Sequence, residues 1–395
     1  MTPDAAPTER RQAAPAERRQ TASADGEIPL AKPDLGEREE ELVLEVLRSG
    51  RLSLGPMLDR FERDFAEWLG VDDAVAVSSG TAALHLGVRA MEWGRGDEVV
   101  TSPFSFVASA NCLLYENAIP VFCDIDPVSL NMDPTAAEAA CGERTVGLLP
   151  VHVFGQAADL PALEALADRR GLGIVEDACE SLGAVDEEGI KVGARGNVAT
   201  FAFYANKQLV TGEGGMLTCA APDLIDRFRS ERNQGRATDM SWVVHDRLGF
   251  NYRLSDLAAA IGVAQLERVD RILADRARVA TLYRERLEGI DRVQAPSEGI
   301  GGQRRSWFVY AVQLADDVDR DGVIDALAAR GISAKAYLPC IHLQQFYRER
   351  FGFKEGQFPM AEQVSSRSMA LPFFTTMTET QVDRVCTALA ETLGV

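Results

Sequence analysis

The chain has 395 residues, too many for one small hydrophobic core and typical of a large domain joined to a smaller one. Its formal net charge of −19 argues against nucleic acid, itself an anion, as a partner. The seven cysteines form no C-x-x-C pair and no apolar run is long enough to span a membrane, so the sequence predicts reduced thiols in the cytoplasm, with neither a zinc site nor a membrane segment.

The first 27 residues differ in composition from the rest of the chain. They are rich in alanine, proline and charge and contain a near-repeat of Ala-Pro-x-Glu-Arg-Arg-Gln. Such a segment cannot bury enough apolar surface to become ordered, and it lacks the hydrophobic core of a secretion signal. The sequence therefore predicts a disordered tail over residues 1–27, with a partner-binding segment as the alternative.

Beyond the tail, strand-like and helix-like segments alternate, which is typical of an α/β fold with a largely parallel sheet. A helical pattern over Glu37–Leu47 comes first. The strand-like Ala74–Val77 follows, and Ser79-Gly80-Thr81 then opens another helical pattern. A turn of this kind directs backbone N–H groups and a helix N-terminus at an anion, typically a phosphate.

Acidic residues stand at the end of the next group of strands. Strand-like runs cover 98–101, 120–122 and 147–151, and a helical pattern covers Pro161–Arg170. The short apolar run Gly173–Val175 then ends in Glu176-Asp177. Ligands bind at the carboxyl ends of strands in open α/β sheets, so Asp177 is a candidate ligand-binding residue; the alternative is a carboxylate that caps a helix.

Lys207 follows an aromatic strand-like run, Thr200–Tyr204, and precedes a turn containing Gly212, Gly214 and Gly215. Burial of a lysine favours its neutral amine, which is a nucleophile, and glycines permit close approach of a flat ligand. The alternative for a lone lysine is an ammonium that reaches water. A phosphate turn, a strand-end aspartate and this lysine together are the parts needed to hold pyridoxal 5'-phosphate.

The remaining elements predict a smaller α+β domain. A long helical pattern over Leu254–Asp275 leads from the large domain, predicted over residues 28–274, into the small one over 275–395. Trp307–Gln313 reads as a strand, Asp319–Arg330 as a helix ended by Gly331, and Ile332–Tyr337 as another strand.

The chain resembles the sugar-nucleotide aminotransferases of fold type I, the perosamine synthase-like family, from about residue 28 to the C-terminus. The resemblance implies a large domain with a mostly parallel mixed sheet, a smaller α+β domain, and a homodimer. The motifs that carry it, in conserved order and spacing for the family, are Ser53–Pro56, Ser79–Thr81, Pro103–Asn111, Pro120–Asp126, Pro150–Gly155, Glu176–Glu180, Phe203–Gln208, Gly212–Met216, Gly249–Arg253 and Ala370–Phe374.

The resemblance implies roles for the core of the site. Lys207 would hold the cofactor as a Schiff base and then move a proton between substrate and cofactor. Asp177 would pair with the pyridinium nitrogen. Gly80 and Thr81 would donate hydrogen bonds to the phosphate.

Three further positions also follow from the resemblance. Phe106 would lie on the pyridine face, with an ordinary core phenylalanine as the alternative. Asn251 would reach the phosphate of the neighbouring subunit, so that the active sites are shared; a structural turn is the alternative. Glu180 lies beside the cofactor and resembles the perosamine synthase branch.

Other positions have less definite roles. Arg253 is a candidate for neutralising an anionic group, with an ion pair to Asp256 as the alternative. His342 is a candidate for lining the sugar site. The family commonly has a phosphate-binding serine five residues before the lysine, where this chain has Ala202.

The predicted reaction is amination of a nucleotide-linked 4-keto-6-deoxy sugar with L-glutamate as donor. A 3-keto sugar is the alternative substrate. Related sugar dehydratases have histidine in place of the lysine, so Lys207 argues against dehydration. A regulatory protein that keeps the fold without turnover is the alternative from another class.

Overall fold

A seven-stranded sheet forms the centre of the larger domain in the computed structural model, which describes residues 26–237 and 244–395. The predicted disordered tail lies outside the described residues, apart from residues 26 and 27. The strands of this sheet are β1 (Ala74–Val77), β2 (Glu98–Thr101), β3 (Ile119–Phe122), β4 (Thr145–Leu149), β5 (Gly173–Asp177), β6 (Val198–Ala202) and β7 (Gly215–Thr218).

The strand order is β1-β7-β6-β5-β4-β2-β3. From β3 to β6 all neighbours are parallel, and β7 runs antiparallel to both β6 and β1. The predicted mixed, largely parallel sheet is therefore confirmed. Because the strands from β2 to β6 point the same way, their carboxyl ends meet at one edge, where polar strand-end residues collect.

Helices cover both faces of this sheet. Alternate residues of β1 enter different apolar clusters: Val75 and Val77 belong to one, and Ala74 and Ala76 to the other. The helices of the chain are α1 (Glu37–Ser49), α2 (Pro56–Leu69), α3 (Gly80–Ala90), α4 (Ala108–Tyr115), α5 (Pro134–Ala140), α6 (Leu160–Arg170), α7 (Pro222–Arg232), α8 (Asp256–Leu266), α9 (Val269–Leu287), α10 (Arg320–Ala328), α11 (Gln345–Phe351), α12 (Pro359–Arg367) and α13 (Glu379–Leu393). Within the described ranges, none of them combines the length and the apolarity that crossing a membrane requires.

The smaller domain is built on an antiparallel sheet in the order β10-β11-β9-β8. Its strands are β8 (Val293–Gln294), β9 (Tyr310–Leu314), β10 (Lys335–Ala336) and β11 (Ser368–Leu371). The predicted strand over Ile332–Tyr337 is thus much shorter than expected. Gly331, with φ +71°, ends the preceding helix as predicted, since glycine tolerates this left-handed conformation.

The single long helix predicted over Leu254–Asp275 is wrong, because the chain breaks between α8 and α9. At the break, Arg268 has φ −131°, and its guanidinium binds the Glu39 carboxylate at 2.7 Å. Val269 packs in the large domain, whereas Tyr283 packs in the core of the small domain. The chain therefore passes between domains along α9, and the predicted boundary at residues 274 and 275 falls inside that helix.

The first described residues lie on the small domain, although the prediction assigned residues from 28 onward to the large one. Ile28 donates its N–H to the Gly331 carbonyl at 2.8 Å and accepts from Ser333 N at 3.0 Å. The Leu30 carbonyl accepts from Phe373 N at 2.8 Å. The Ile28 side chain is buried in the core of the small domain.

Candidate active site

A cavity of about 560 Å³ lies at the carboxyl edge of the large sheet, beneath the small domain. The ends of β5 and β6, the start of α3 and the loop before α4 line it on one side. Phe308 and residues 336–339 of the small domain line it on the other. The site is therefore built from both domains.

Lys207 reaches this cavity from the turn that follows β6. Its N–H donates to the Tyr204 carbonyl at 2.9 Å, which fixes the turn, and its side chain is 13% exposed. Its Nζ lies 3.8 Å from Glu180 Oε1 and 3.9 Å from the centroid of the Phe308 ring. The amine is thus held between a carboxylate and an aromatic face, within ion-pair distance of the first but beyond hydrogen-bond length.

Glu180 is the second carboxylate of the site. Its Oε2 accepts the N–H of Phe154 at 3.0 Å. Phe154 has φ +54°, a left-handed conformation that a residue with a Cβ adopts only at a cost, and it places its N–H against this carboxylate. Burial raises the pKa of Glu180, and the charge of the neighbouring Lys207 opposes that shift.

Asp177 stands at the end of β5, where the sequence predicts a ligand-binding carboxylate, and it lines the cavity. Its Oδ2 accepts from Ser109 Oγ at 2.6 Å and its Oδ1 from Cys179 N at 3.1 Å. The adjacent Glu176 points to the other face of the strand, where its Oε2 lies 3.2 Å from His152 Nε2. Of the two acidic residues, only Asp177 lines the site.

The N-terminus of α3 lies beside Asp177. Ser79 caps the helix by accepting from Ala82 N at 3.1 Å, and Gly80 and Thr81 line the cavity. The first N–H groups of a helix have no partner within the helix, so they remain available to an anion. A Cβ at Gly80 would lie 2.6 Å from the Ala202 Cβ, and one at Gly215 would lie 2.5 Å from the Ser79 carbonyl oxygen. The chain can pack this closely only because both positions are glycine.

Phe106 also lines the cavity, and it is 62% exposed. The alternative of an ordinary core phenylalanine therefore does not hold. The residue lies two positions before α4, and its ring lines the same cavity as Asp177.

Asn251 and Arg253 are not among the residues that line the cavity of their own chain. Asn251 is exposed and forms a backbone bridge with Asn233. Arg253 Nη1 donates to Asn233 Oδ1 at 3.0 Å, whereas Asp256 accepts the N–H of Leu58 at 2.9 Å. The structure thus gives Arg253 an amide partner, not the ion pair with Asp256.

His342 does not reach the cavity, contrary to its predicted position at the sugar site. Its side chain is fully buried, its Nε2 lies 3.0 Å from Glu362 Oε1, and its ring packs against Phe358. Burial lowers the pKa of His342. These contacts are those of a packing residue in an aromatic cluster.

Several lining residues were missed by the sequence analysis. Ser105 and Ser109 lie within the motif Pro103–Asn111, and their spacing of one helical turn was an available signal. Phe308 and Tyr337 come from the small domain, and no local pattern marks them. In the ranges that the structure describes, no group of histidine, cysteine or acidic side chains is arranged to hold a metal ion.

Residues 33–390 match the DegT/DnrJ/EryC1/StrS aminotransferase family. The chain belongs to this family. It is a sugar aminotransferase of the DegT type, and the enzyme class predicted from Lys207 and Asp177 is confirmed.

Relatives of this DegT-family chain match it along nearly its whole length. The GDP-perosamine synthase of Caulobacter vibrioides is 38% identical over 370 residues, covering 93% of this chain and 98% of the relative. The spore coat polysaccharide biosynthesis protein SpsC of Bacillus subtilis is 36% identical over 377 residues, covering 92% and 96%. The crystal structure of S. venezuelae DesV in complex with a ketimine intermediate superposes with a TM-score of 0.87 at 33% identity, covering 92% of this chain and 98% of DesV. The predicted fold class of the pyridoxal phosphate aminotransferases is confirmed.

Proposed function

We propose that this aminotransferase uses pyridoxal 5'-phosphate to transfer an amino group from L-glutamate to C4 of a nucleotide-linked 4-keto-6-deoxy sugar. The observation that carries the proposal is the convergence of Lys207, Asp177 and the N-terminus of α3 on one cavity. The resemblance to GDP-perosamine synthases, at 38% identity for the Caulobacter vibrioides relative, supports a sugar linked to a nucleotide.

The residues of the cavity fit this cofactor. A flat ring needs an aromatic face, and Phe106 offers one that is exposed in the cavity. A phosphate needs hydrogen-bond donors that no side chain covers. Gly80 has no side chain, so the backbone N–H groups at the start of α3 are accessible from the cavity. A protonated ring nitrogen needs an anion, and Asp177 offers a carboxylate at the end of β5 in the same cavity.

Each residue would have a defined task. Gly80 and Thr81 would donate hydrogen bonds to the phosphate, and Asp177 would accept the N–H of the ring nitrogen. Bound pyridoxal phosphate supplies an electron sink for the carbon that gains or loses the amino group. Lys207 would bind the cofactor covalently and, once released by the amino donor, would carry a proton on Nζ to and from the reacting carbon.

Glu180 would hold the released amine in place. Its Oε1 is 3.8 Å from Lys207 Nζ, close enough to stabilise the ammonium form between proton transfers. The opposite wall of the cavity is formed by Phe308, Tyr337, Leu338 and Pro339. These mainly apolar side chains suit the methyl group of a 6-deoxy sugar.

The active unit would be a homodimer. Asn251 is exposed in the single chain and lies outside its own cavity, as a residue that completes the site of a neighbouring subunit must.

The seven cysteines are free, in agreement with a reducing cytoplasm as the compartment.

The substrate is tested by incubating the purified protein with pyridoxal phosphate, L-glutamate and GDP-, dTDP- and UDP-linked 3-keto and 4-keto sugars. We expect amination of a 4-keto-6-deoxy sugar with release of 2-oxoglutarate. Turnover of 3-keto sugars alone would contradict the position of amination. A pyridoxal phosphate enzyme that accepts only ketones without a sugar would contradict the substrate class.

A further inference from the structure

Two buried serine hydroxyls form a short chain behind Asp177. Ser109 Oγ lies 2.6 Å from Asp177 Oδ2, and Ser105 Oγ lies 2.6 Å from Ser109 Oγ. Ser109 is 1% and Ser105 is 4% exposed. Hydrogen bonds of this length to a carboxylate are in the range of strong, charge-assisted bonds.

The direction of these bonds follows from the chemistry of the groups. An ionised carboxylate only accepts hydrogen bonds, so Ser109 must donate its one proton to Asp177. The proton between the two serines must then come from Ser105. Both O–H dipoles therefore point toward the Asp177 carboxylate.

Helix α4 fixes the position of these two serine hydrogen bonds. Ser109 lies in its first turn, and its N–H donates to the Phe106 carbonyl at 3.1 Å. The same turn thus carries the aromatic ring that faces the cavity and the hydroxyl that binds Asp177. Cys179 N holds the other carboxylate oxygen at 3.1 Å, so rotation of the carboxylate would break one bond or the other.

We propose that Ser109 is a positioning residue for Asp177, and that Ser105 fixes the direction in which Ser109 donates. The pair holds the Asp177 carboxylate in one orientation, in which it would face the cationic ring nitrogen of the cofactor. This inference rests on the proposed function, because the group that Asp177 serves is the pyridine ring.

The other titratable groups near Asp177 do not offer an equivalent control. Cys112 and Cys179 are thiols whose pKa burial raises well above the ordinary value, so both stay neutral at physiological pH. Glu180 and Lys207 form a pair of their own at 3.8 Å. The Cys179 thiol also hydrogen-bonds to Asp177, but a thiol is a weak donor, so the Ser109 hydroxyl is the stronger side-chain donor that substitution can remove.

The test compares Ser109→Ala, Ser105→Ala and Ser109→Thr with the wild type. Ser102→Ala is the matched control, because Ser102 is also buried but bonds only to the backbone of Phe104. The holoenzymes are examined by pH titration of the visible absorption band of the cofactor, by the dissociation constant for pyridoxal phosphate, and by kcat and KM for glutamate.

We expect Ser109→Ala to lower kcat by roughly tenfold or more while KM for glutamate changes less than about threefold, since the lost bond is to a charged group. The pH midpoint of the visible band should rise. A weaker positive charge on the ring nitrogen lets the nitrogen that links Lys207 to the cofactor keep its proton to higher pH. Ser105→Ala should shift both quantities in the same direction by less. Ser109→Thr should restore them toward wild type, and Ser102→Ala should leave them unchanged.

Band titrations and kcat of Ser109→Ala and Ser105→Ala that match those of Ser102→Ala would overturn the proposal while leaving the aminotransferase function intact. If circular dichroism shows that Ser109→Ala does not fold, the test rests on Ser105→Ala. An unshifted visible band in Ser105→Ala would then overturn the proposal. A wild-type protein that binds no pyridoxal phosphate and develops no visible band would instead refute the proposed function, and this inference with it.

Discussion

The amine nitrogen of Lys207 lies 3.8 Å from a carboxylate oxygen of Glu180, in the cavity that Asp177 also lines. The Phe308 ring lies 3.9 Å from the same nitrogen. Burial raises the pKa of Glu180 and the charge of Lys207 opposes that rise, so a change at Lys207 affects Glu180.

Replacing Lys207 with alanine should lower transamination by roughly 10²–10⁴-fold or more, because the covalent link and the proton carrier are lost together. The fold should persist, since the side chain is not part of an apolar core. Borohydride reduction followed by mass spectrometry should label the wild type with the cofactor and leave the variant unlabelled. Lys191→Ala is the control, because Lys191 instead packs over Trp68 with its Nζ 4.1 Å from the ring. Near wild-type turnover by Lys207→Ala would contradict the assignment.

Replacing Glu180 with glutamine should change how stability depends on pH. The native state binds the Glu180 proton more tightly than the unfolded chain, whose carboxyl titrates near the ordinary 4.5. The stabilisation from this proton is thus present below that pH and is lost as the pH rises through the raised native pKa. The unfolding free energy of Glu180→Gln relative to wild type should therefore increase with pH, by roughly 1.4 kcal/mol for each unit of native shift.

Urea unfolding of the cofactor-free protein over a pH series would measure this difference. The exposed Glu355→Gln is a suitable control and should show no such slope. A difference between Glu180→Gln and wild type that stays constant across the series would contradict the prediction.

The sequence predicted the centre of the site better than its surroundings. Lys207, Asp177 and Gly80 each follow or precede a strand with a clear local pattern, and parallel strands bring such ends to one edge. His342 has no such context: its aromatic neighbours, such as Phe122, are distant in sequence, so its burial could not be foreseen.

The same distinction explains the error in the long helix. Apolar periodicity continues through residues 267 and 268, whereas the break depends on the contact of Arg268 with Glu39, a residue on a different helix. The bond between Ser109 and Asp177 likewise depends on how α4 docks against β5. Tertiary contacts of this kind leave no periodic signal in the chain.

Alanine at Gly80 should weaken cofactor binding. Its Cβ would lie 2.6 Å from the Ala202 Cβ, so the start of α3 would have to move away from Ala202 and its N–H groups would shift within the cavity. We expect a loss of roughly 1–3 kcal/mol of stability from overpacking, and a dissociation constant for pyridoxal phosphate raised by about tenfold or more. Equilibrium dialysis and urea unfolding would measure the two effects. Gly94→Ala is the control, because the nearest atom to its Cβ would be 3.6 Å away.

Mixing inactive Lys207→Ala subunits with inactive Asn251→Ala subunits should restore activity if the sites are shared. A hybrid dimer would keep one site with an intact lysine and an intact partner asparagine. Random exchange should recover roughly a quarter of the wild-type activity. Each variant alone is the control, and a monomer that is fully active in sedimentation experiments would contradict the shared site.

Alanine at His342 should destabilise the protein without altering substrate recognition. The change empties a fully buried position and leaves Glu362 without its imidazole partner at 3.0 Å. We expect a loss of about 2–4 kcal/mol in urea unfolding, with KM for the keto sugar within about twofold of wild type. A large rise in KM at unchanged stability would contradict this expectation and indicate that His342 contacts the sugar.

The pairing of Ile28 and Leu30 with the small domain affects where the protein can be shortened for expression. The match to the family model begins at residue 33, which makes that position a natural choice for a trimmed chain. A chain that starts there would leave the N–H groups of Ser333 and Phe373 without their carbonyl acceptors and would open the apolar space that Ile28 fills. The shortest stable chain should therefore begin at or before Ile28, upstream of the point where the match to the family model begins.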